Sequence, residues 1–295
     1  MTLPNFILIG AAKCGTTSLC HYLDQHPQIY MSPEKEPRFF APEFYTECSN
    51  GPVRKGSLRP RMDIAEYEAL FDGVTNEKAL GEASTEYIFF PEAPARIKNM
   101  LPDVKLIAIL RDPCDRAFSA YCYQLRDGVE STTFEEALES EERRIHEHWR
   151  PGWLYKKAGF YFEQLHKYYE IFEPEQLKIY LYEDLAQQPL KVLRDICIFL
   201  DVDPNFTPDL SRKNVSAVPQ NLFLNKLLSS QSPVSFMKPY LPGSLKSPLR
   251  QLKMQNRVSK PNIPSSCRKQ LIEIYREDIL KLQDLIRRDL SSWMS

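Results

Sequence analysis

The sequence predicts an α/β protein in which helices flank a mostly parallel central sheet, and two observations support this fold class. Short apolar runs rich in β-branched residues indicate buried strands. Segments with apolar residues at helical spacing follow these runs. The predicted strands are residues 6–9, 28–31, 79–84, 104–110 and 177–182. The run 104–110 is nearly all apolar, which is typical of a central strand in a parallel sheet.

Length and charge describe an ordinary globular chain with one uneven feature. The 295 residues are 26% charged and 43% hydrophobic, which fits a single domain over 1–295 with a large core. Between Leu210 and Ile272 there are eleven Lys and Arg but no Asp or Glu, whereas the remainder has 27 basic and 39 acidic residues. We interpret residues 210–264, rich in Pro and Ser, as a basic flap. It favours a polyanionic ligand over bulk nucleic acid.

Cysteine usage and hydropathy bear on where in the cell the protein is expected. The seven cysteines form no C-x-x-C pair, which favours reduced thiols over a disulfide framework or a zinc site. No apolar run reaches the length of a membrane span, and the N-terminus has no basic signal region. We therefore expect a cytoplasmic protein with no membrane partner.

The first candidate site joins the strand 6–9 to a helix that begins near Thr16. Gly10 and Gly15 have the spacing of a nucleotide P-loop, but Thr16 stands where that loop has its lysine. The lysine of this loop is Lys13. Loop amides, hydroxyls, an ammonium and a helix N-terminus make an anion cradle. The alternative is a plain glycine turn between a strand and a helix.

This loop, G-x-x-K-x-G-T-T, resembles the 5′-phosphosulfate loop of the sulfotransferases that use 3′-phosphoadenosine 5′-phosphosulfate (PAPS). The resemblance implies that Lys13 acts in catalysis and that the whole loop binds the cofactor. The residues concerned are Lys13, Cys14, Gly15, Thr16, Thr17 and Ser18.

A second motif follows the strand 104–110, where Asp112 and Pro113 predict the start of a helix. The string R-D-P-x-x-R-x-x-S-x-Y resembles the 3′-phosphate motif of the same enzymes. Arg111 offers a fork of donors for phosphate oxygens, and Ser119 adds a hydroxyl two turns further on. The alternative is an Arg-Asp helix cap with a helix packed in the core.

Two carboxylates are candidates for the catalytic base. The segment K-E-P-R-F-F resembles the K-E-x-H-F-F stretch of the heparan-type branch, which puts Glu36 in that role and Arg38 where many relatives have histidine. The stretch G-E-A-S-T-E-Y resembles a second family pattern and makes Glu82 the reserve candidate. Alone, the charged loop around Glu36 is equally typical of a solvated surface.

Three further predictions concern later parts of the chain. The Y-E-D end of strand 177–182 resembles the position where the family places a tyrosine against the nucleotide, here Tyr182. Lys213, in the basic region, falls where these enzymes have a loop over the nucleotide and implies a contact with its 3′-phosphate. Residues 134–149 predict one highly charged, solvated helix without metal ligands.

Together these motifs predict a PAPS-dependent sulfotransferase that transfers the sulfuryl group to a hydroxyl or amine and releases 3′-phosphoadenosine 5′-phosphate (PAP), without a metal. A small-molecule acceptor fits a cytoplasmic chain better than a glycan. The alternative enzyme is a nucleoside or nucleotide kinase, which needs a lysine after Gly15 and an acidic strand end for Mg²⁺. The non-enzymatic alternative is a nucleotide-binding scaffold with a degenerate site.

Overall fold

The computed structural model describes residues 2–53, 60–211, 217–219, 257–259 and 261–295. A parallel sheet of five strands has the order β2-β3-β1-β4-β5, and a separate antiparallel pair is formed by β6 and β7. The strands are β1 (Phe6–Gly10), β2 (Ile29–Met31), β3 (Ala79–Ala83), β4 (Lys105–Leu110), β5 (Leu177–Leu181), β6 (Ala217–Pro219) and β7 (Arg257–Ser259). The α/β fold with a parallel sheet is therefore confirmed.

Helices connect the parallel strands and cover the sheet. They are α1 (Thr16–Leu23), α2 (Glu43–Thr46), α3 (Ile64–Ala69), α4 (Ala93–Met100), α5 (Pro113–Asp127), α6 (Phe134–Glu139), α7 (Glu141–His146), α8 (Tyr161–Ile171), α9 (Tyr182–Gln187), α10 (Pro189–Phe199) and α11 (Ser265–Ile286). Short 3₁₀ turns add Tyr87–Phe89, Pro151–Trp153, Lys157–Gly159, Pro174–Gln176 and Ser291–Met294. In the parts of the chain just given, no helix is long and apolar enough to cross a membrane.

Strand β1 is the centre of the sheet, with β3 on one side and β4 on the other. All five of its residues are buried, and Phe6 to Leu8 pair in parallel with both neighbours. A strand covered on both faces has no polar side, which explains the continuous apolar run in the sequence. Strand β4 has the same character and is likewise interior, as expected.

The start of α5 matches its predicted cap. The carboxylate of Asp112 accepts hydrogen bonds from the amides of Cys114 (2.8 Å) and Asp115 (3.2 Å), and Pro113 is the first helical residue. The cap satisfies amides that lack an intrahelical partner, and it therefore fixes the start of the helix at Pro113. Arg111 directly precedes this cap.

The segment 134–149 differs from its prediction as one solvated helix, because it is broken at Ser140 into α6 and α7. Glu141 is only 1% exposed, and its carboxylate accepts hydrogen bonds from the amides of Lys156 and Lys157, each at 2.6 Å. Arg144 is also buried and pairs with Glu130 at 2.8 Å. These two buried charges hold the following loop, whereas most other charged side chains of the segment, such as Glu135, Glu139 and Glu142, are exposed as predicted.

Candidate active site

A cleft of about 610 Å³ opens where the parallel strands end. Segments that follow β1, β2, β3, β4 and β5 all contribute to its walls. In parallel sheets the carboxyl ends of the strands are the usual place for a ligand. Nine of the predicted site residues line it: Lys13, Gly15, Thr16, Thr17, Ser18, Glu36, Arg111, Ser119 and Tyr182.

The loop between β1 and α1 forms one end of this cleft. Gly15 has a left-handed backbone with φ of 91° and caps the helix that begins at Thr16. An added Cβ at Gly15 would lie 3.0 Å from the Cδ2 atom of Tyr182, so both conformation and space favour glycine. The first amides of α1 have no intrahelical partner and are available to an anion.

Lys13 also has a left-handed backbone, with φ of 73°, and its ammonium lies 4.0 Å from the ring centroid of Tyr123. Burial and, to a lesser extent, the nearby guanidinium of Arg126 together lower the pKa of Lys13 to about 8. Removal from water and a neighbouring cation both disfavour the charged ammonium. An anion bound beside Lys13 would reverse that effect.

Arg111 also lines the cleft and follows directly after the last residue of β4. Its guanidinium carbon is 4.5 Å from the ring centroid of Tyr182, and Nη2 lies 3.4 Å from an oxygen of Asp115. The buried Nε of Arg111 has no hydrogen-bond partner among the residues that the structure describes. A buried donor without a hydrogen-bond partner destabilises the folded protein unless a ligand accepts a hydrogen bond from it. This orphaned donor, with Ser119 in the same wall, fits a phosphate group.

The C-terminal helix α11 contributes a residue that sequence reasoning missed. Arg268 donates to Asp112 at 2.7 Å and to Asp115 at 3.3 Å. Asp115 also contacts Arg111, so Arg268 ties the last helix to the start of α5 and to the cleft arginine. No local pattern indicated this contact, because the partners are more than 150 positions apart in the chain.

Glu36 lies in the loop after β2 with a left-handed backbone, φ 62°. Its carboxylate accepts from the amide of Thr85 at 2.9 Å and from the hydroxyl of Thr85 at 2.8 Å. Burial and the neighbouring carboxylate of Glu86 raise the pKa of Glu36 to about 8. A carboxylate with raised basicity in a cleft can accept a proton from a bound hydroxyl or amine.

The expectation that Glu82 faces the cleft is wrong. Its side chain is 0% exposed and does not line the cleft. Its carboxylate accepts from the hydroxyl of Ser84 at 2.9 Å and from that of Tyr67 at 3.3 Å. Ser84 also accepts the amide of Arg38 at 2.9 Å, so Glu82 braces the loop that holds Glu36.

One other predicted residue, Cys14, does not contribute its side chain to the cleft. The thiol of Cys14 is fully buried and lies 3.5 Å from the hydroxyl of Tyr161, and the Cys14 amide donates to Ala11 at 3.2 Å. Lys213 and most of the predicted flap 210–264 lie outside the described residues. The prediction for Lys213 therefore stays a prediction.

Several cleft residues were not predicted from the sequence. Lys35 donates to the hydroxyl of Thr17 at 2.6 Å and thus joins the Glu36 loop to the anion loop. Its signal was its position next to Glu36 in the charged segment. The others that carry charge or an aromatic ring are Arg38, Phe44, Glu86, Phe89, Arg116, Tyr123, Arg126, Asp127, Arg150 and Trp153. Within the described part of the chain, no group of three His, Cys, Asp or Glu could hold a metal ion.

The fold and the cleft define an α/β protein with a P-loop-like site for a phosphate-bearing ligand. Residues 4–208 match the Sulfotransferase family, so the chain belongs to that family. A solved sulfotransferase from Alicyclobacillus acidocaldarius is similar over 100% of both chains, with 36% identity and a TM-score of 0.80.

Curated relatives are similar over parts of their length. A membrane-associated sulfotransferase of Dictyostelium discoideum is 36% identical over 126 residues, which are 43% of this chain and 24% of that protein. A bifunctional heparan sulfate N-deacetylase/N-sulfotransferase 3 of Mus musculus is 28% identical over 207 residues, 69% of this chain and 23% of that protein. This chain therefore spans about a quarter of the length of these two relatives.

Proposed function

We propose that this protein is a PAPS-dependent sulfotransferase that transfers the sulfuryl group of PAPS to a hydroxyl or amine and releases PAP. The observation that supports this most is the meeting of three features in one cleft of a sulfotransferase-family chain. These features are the Lys13 loop, the orphaned donor of Arg111 and the carboxylate of Glu36.

The cleft geometry supports the nucleotide contacts that the family motifs imply. The loop amides, Lys13 and the hydroxyls of Thr16 and Thr17 would hold the 5′-phosphate end, where PAPS supplies the sulfuryl group. Arg111 and Ser119 would hold the 3′-phosphate, the group that PAPS has and ATP lacks. Tyr182, which already lies against Gly15 and under Arg111, offers its ring to the nucleotide.

The chain's own residues account for the two charge changes of the transfer. As the acceptor attacks sulfur, its proton passes to Glu36, and the phosphate oxygen that leaves retains the electron pair of the broken bond. Lys13 and the loop amides stabilise the negative charge that grows on this oxygen. Positioning and electrostatics thus carry the reaction, as in phosphoryl transfer, with no metal required.

For the acceptor we propose a small molecule rather than a glycan. The walls of the cleft that holds Glu36 include the apolar side chains of Phe44, Phe89 and Trp153. The whole cleft, about 610 Å³, must also contain the nucleotide. Apolar walls with a few placed polar groups are typical of small-molecule sites.

The nucleotide site is tested first by thermal shift with three ligands: PAP, AMP, and ATP with and without Mg²⁺. AMP is PAP without its 3′-phosphate, so the pair isolates recognition of that group. At about 100 times its dissociation constant, a ligand adds about 2.7 kcal/mol of stability. We expect a large shift with PAP, a much smaller one with AMP, and no effect of Mg²⁺.

The matched variant is Arg111→Met, which keeps an unbranched side chain but removes its hydrogen-bond donors. It should reduce the PAP shift to the AMP level and leave the AMP shift unchanged. A shift that requires Mg·ATP would instead favour the kinase alternative. Equal shifts with PAP and AMP would exclude a 3′-phosphate site at Arg111.

The pH dependence of kcat/KM provides a separate prediction, because this parameter reports groups of the free enzyme. Glu36 must be ionised to accept a proton, so activity should rise as pH rises through its pKa of about 8. Lys13 must be protonated, so activity should fall as pH rises through its pKa, also about 8. We expect a narrow maximum near pH 8. A profile that stays flat from about pH 6 to about pH 10 would contradict both assignments.

A further inference from the structure

Beside Glu36, the acceptor end of the cleft contains a second carboxylate and one arginine between the two. Arg38 binds Glu86 with two contacts, Nε to Oε2 at 2.9 Å and Nη2 to Oε1 at 3.2 Å. The same Nη2 lies 3.9 Å from Oε2 of Glu36. All three side chains line the cleft and are only 13 to 19% exposed.

The backbone of this loop is shaped to bring these groups together. Arg38, like Glu36, has a left-handed backbone, with φ of 54°. Residues other than glycine take this conformation at a cost, and such residues cluster at functional sites. The amide of Arg38 donates to Ser84, and the carbonyl of Glu36 accepts from the Arg38 guanidinium at 3.2 Å. The loop thus holds both Glu36 and Arg38 in place beside Glu86.

Other charged or titratable groups also face this cluster. Lys35 precedes Glu36 on the same loop and acts on it as a cation, and Cys20 on α1 is within electrostatic range of Glu36. Tyr45, on α2, interacts electrostatically with Arg38. Arg150, directly before the turn Pro151–Trp153, does so as well. Within this cluster, the close ion-pair contacts are those of Arg38 with Glu36 and with Glu86.

We propose that Glu36 and Glu86 form a carboxyl pair that holds one proton between them, with Arg38 as its fixed counter-ion. Glu86 is then a positioning residue that sets the basicity of the catalytic Glu36. The catalytic meaning of this pair rests on the proposed function, but its protonation state does not. Nothing in the motifs that indicate the family required an acidic residue at position 86.

Charge balance gives the physical reason for the pair. Two ionised carboxylates beside one guanidinium leave an excess negative charge in a poorly hydrated wall, so one of them retains a proton. Arg38 lowers the pKa of Glu86, with which it makes two hydrogen bonds, whereas burial and Glu86 raise that of Glu36. The two Thr85 donors keep the ionised form of Glu36 accessible. The proton that leaves the acceptor thus enters a site built to hold one.

Another pair in this chain shows what a structural ion pair looks like. Arg96 also binds Glu43 through two contacts, at 2.5 and 3.0 Å, but neither side chain lines the cleft. No second carboxylate contacts Arg96 among the residues that the structure describes. Glu43→Gln is therefore the matched control for Glu86→Gln, since each change removes one charge from a two-contact arginine pair.

The experiment is a pH titration of the free full-length chain, without PAPS or acceptor, followed by the infrared carbonyl band of protonated carboxyl groups. The wild-type protein should show a carboxyl that ionises near pH 8 and is missing in Glu36→Gln. Glu86→Gln removes the like charge, so the Glu36 titration should move to lower pH by about one unit or more. Glu86→Asp should return it toward the wild-type value, and Glu43→Gln should not move it.

An unchanged titration in Glu86→Gln would overturn the proposal, since a purely structural Glu86 would not affect the proton affinity of Glu36. If Glu86→Gln does not fold, Arg38→Gln tests the same pair with the opposite sign. Loss of the cation should move the Glu36 titration to higher pH, and no movement would again overturn the proposal. PAP thermal shifts on each variant report the nucleotide site independently, so failure of the proposed function would be recognised separately.

Discussion

Replacing Lys13 with alanine is expected to lower kcat by about 10²–10³-fold, with a much smaller loss of PAPS affinity. The ammonium lies in the loop that would hold the leaving phosphate oxygen, where negative charge grows only during the transfer. A contact that strengthens in the transition state lowers kcat when it is removed. In PAPS that oxygen is still bonded to sulfur and lacks the developing charge, so PAPS affinity should report only ground-state binding.

The measurement is the rate of PAP release from PAPS with an acceptor found by screening, compared with the PAPS dissociation constant of the same variant, measured without acceptor. Lys281→Ala is the control, because Lys281 pairs with Glu277 at 2.6 Å on α11 and does not line the cleft. It should leave both quantities unchanged. Equal losses of kcat/KM and PAPS affinity, with kcat unchanged, in Lys13→Ala would mean that Lys13 binds the nucleotide uniformly.

Replacing Glu36 with glutamine should leave PAP affinity nearly intact and lower acceptor turnover by about 10²–10⁴-fold, the usual contribution of a positioned base. The amide has nearly the shape of the carboxyl group, and its oxygen can still accept from Thr85. It cannot, however, take a proton from the acceptor. Single-turnover rates and PAP binding on the same preparation separate these two effects.

Glu82→Gln is the informative companion variant, because Glu82 was the alternative base in the sequence. Its carboxylate is enclosed by Tyr67 and Ser84 and has no access to the cleft. We expect lower stability, since a buried hydrogen-bonded group is changed, but retained turnover in the folded fraction. If turnover survived in Glu36→Gln and was lost in Glu82→Gln, the assignment of the base would be reversed.

The sequence predicted best the parts of the site that are continuous in the chain. A strand, a glycine loop and a helix start follow one another within residues 6–23, so local patterns predict β1, the turn at Gly15 and α1 together. The same holds for β4, Arg111 and the Asp112 cap of α5. Both segments end at the same edge of a parallel sheet, which also places their ligand groups in one cleft.

The sequence could not tell which of two acidic residues faces the ligand. Strand β3 is buried on both faces, so alternation of polar and apolar residues cannot assign a side to Glu82. Likewise, nothing near Cys14 indicated that its thiol would turn toward Tyr161. Side-chain direction at these positions depends on packing partners that are distant in the chain.

By itself, then, the sequence determined the fold class, the order of the main elements and the loop residues that would hold an anion, because these depend on local periodicity and turn chemistry. The tertiary structure alone decided the environment of Glu36. It brought Glu86 and Arg38 to one carboxylate, excluded Glu82 from the cleft and tied Arg268 to the start of α5. Proton affinity depends on burial and on charges a few ångströms away, and only the folded chain sets those distances.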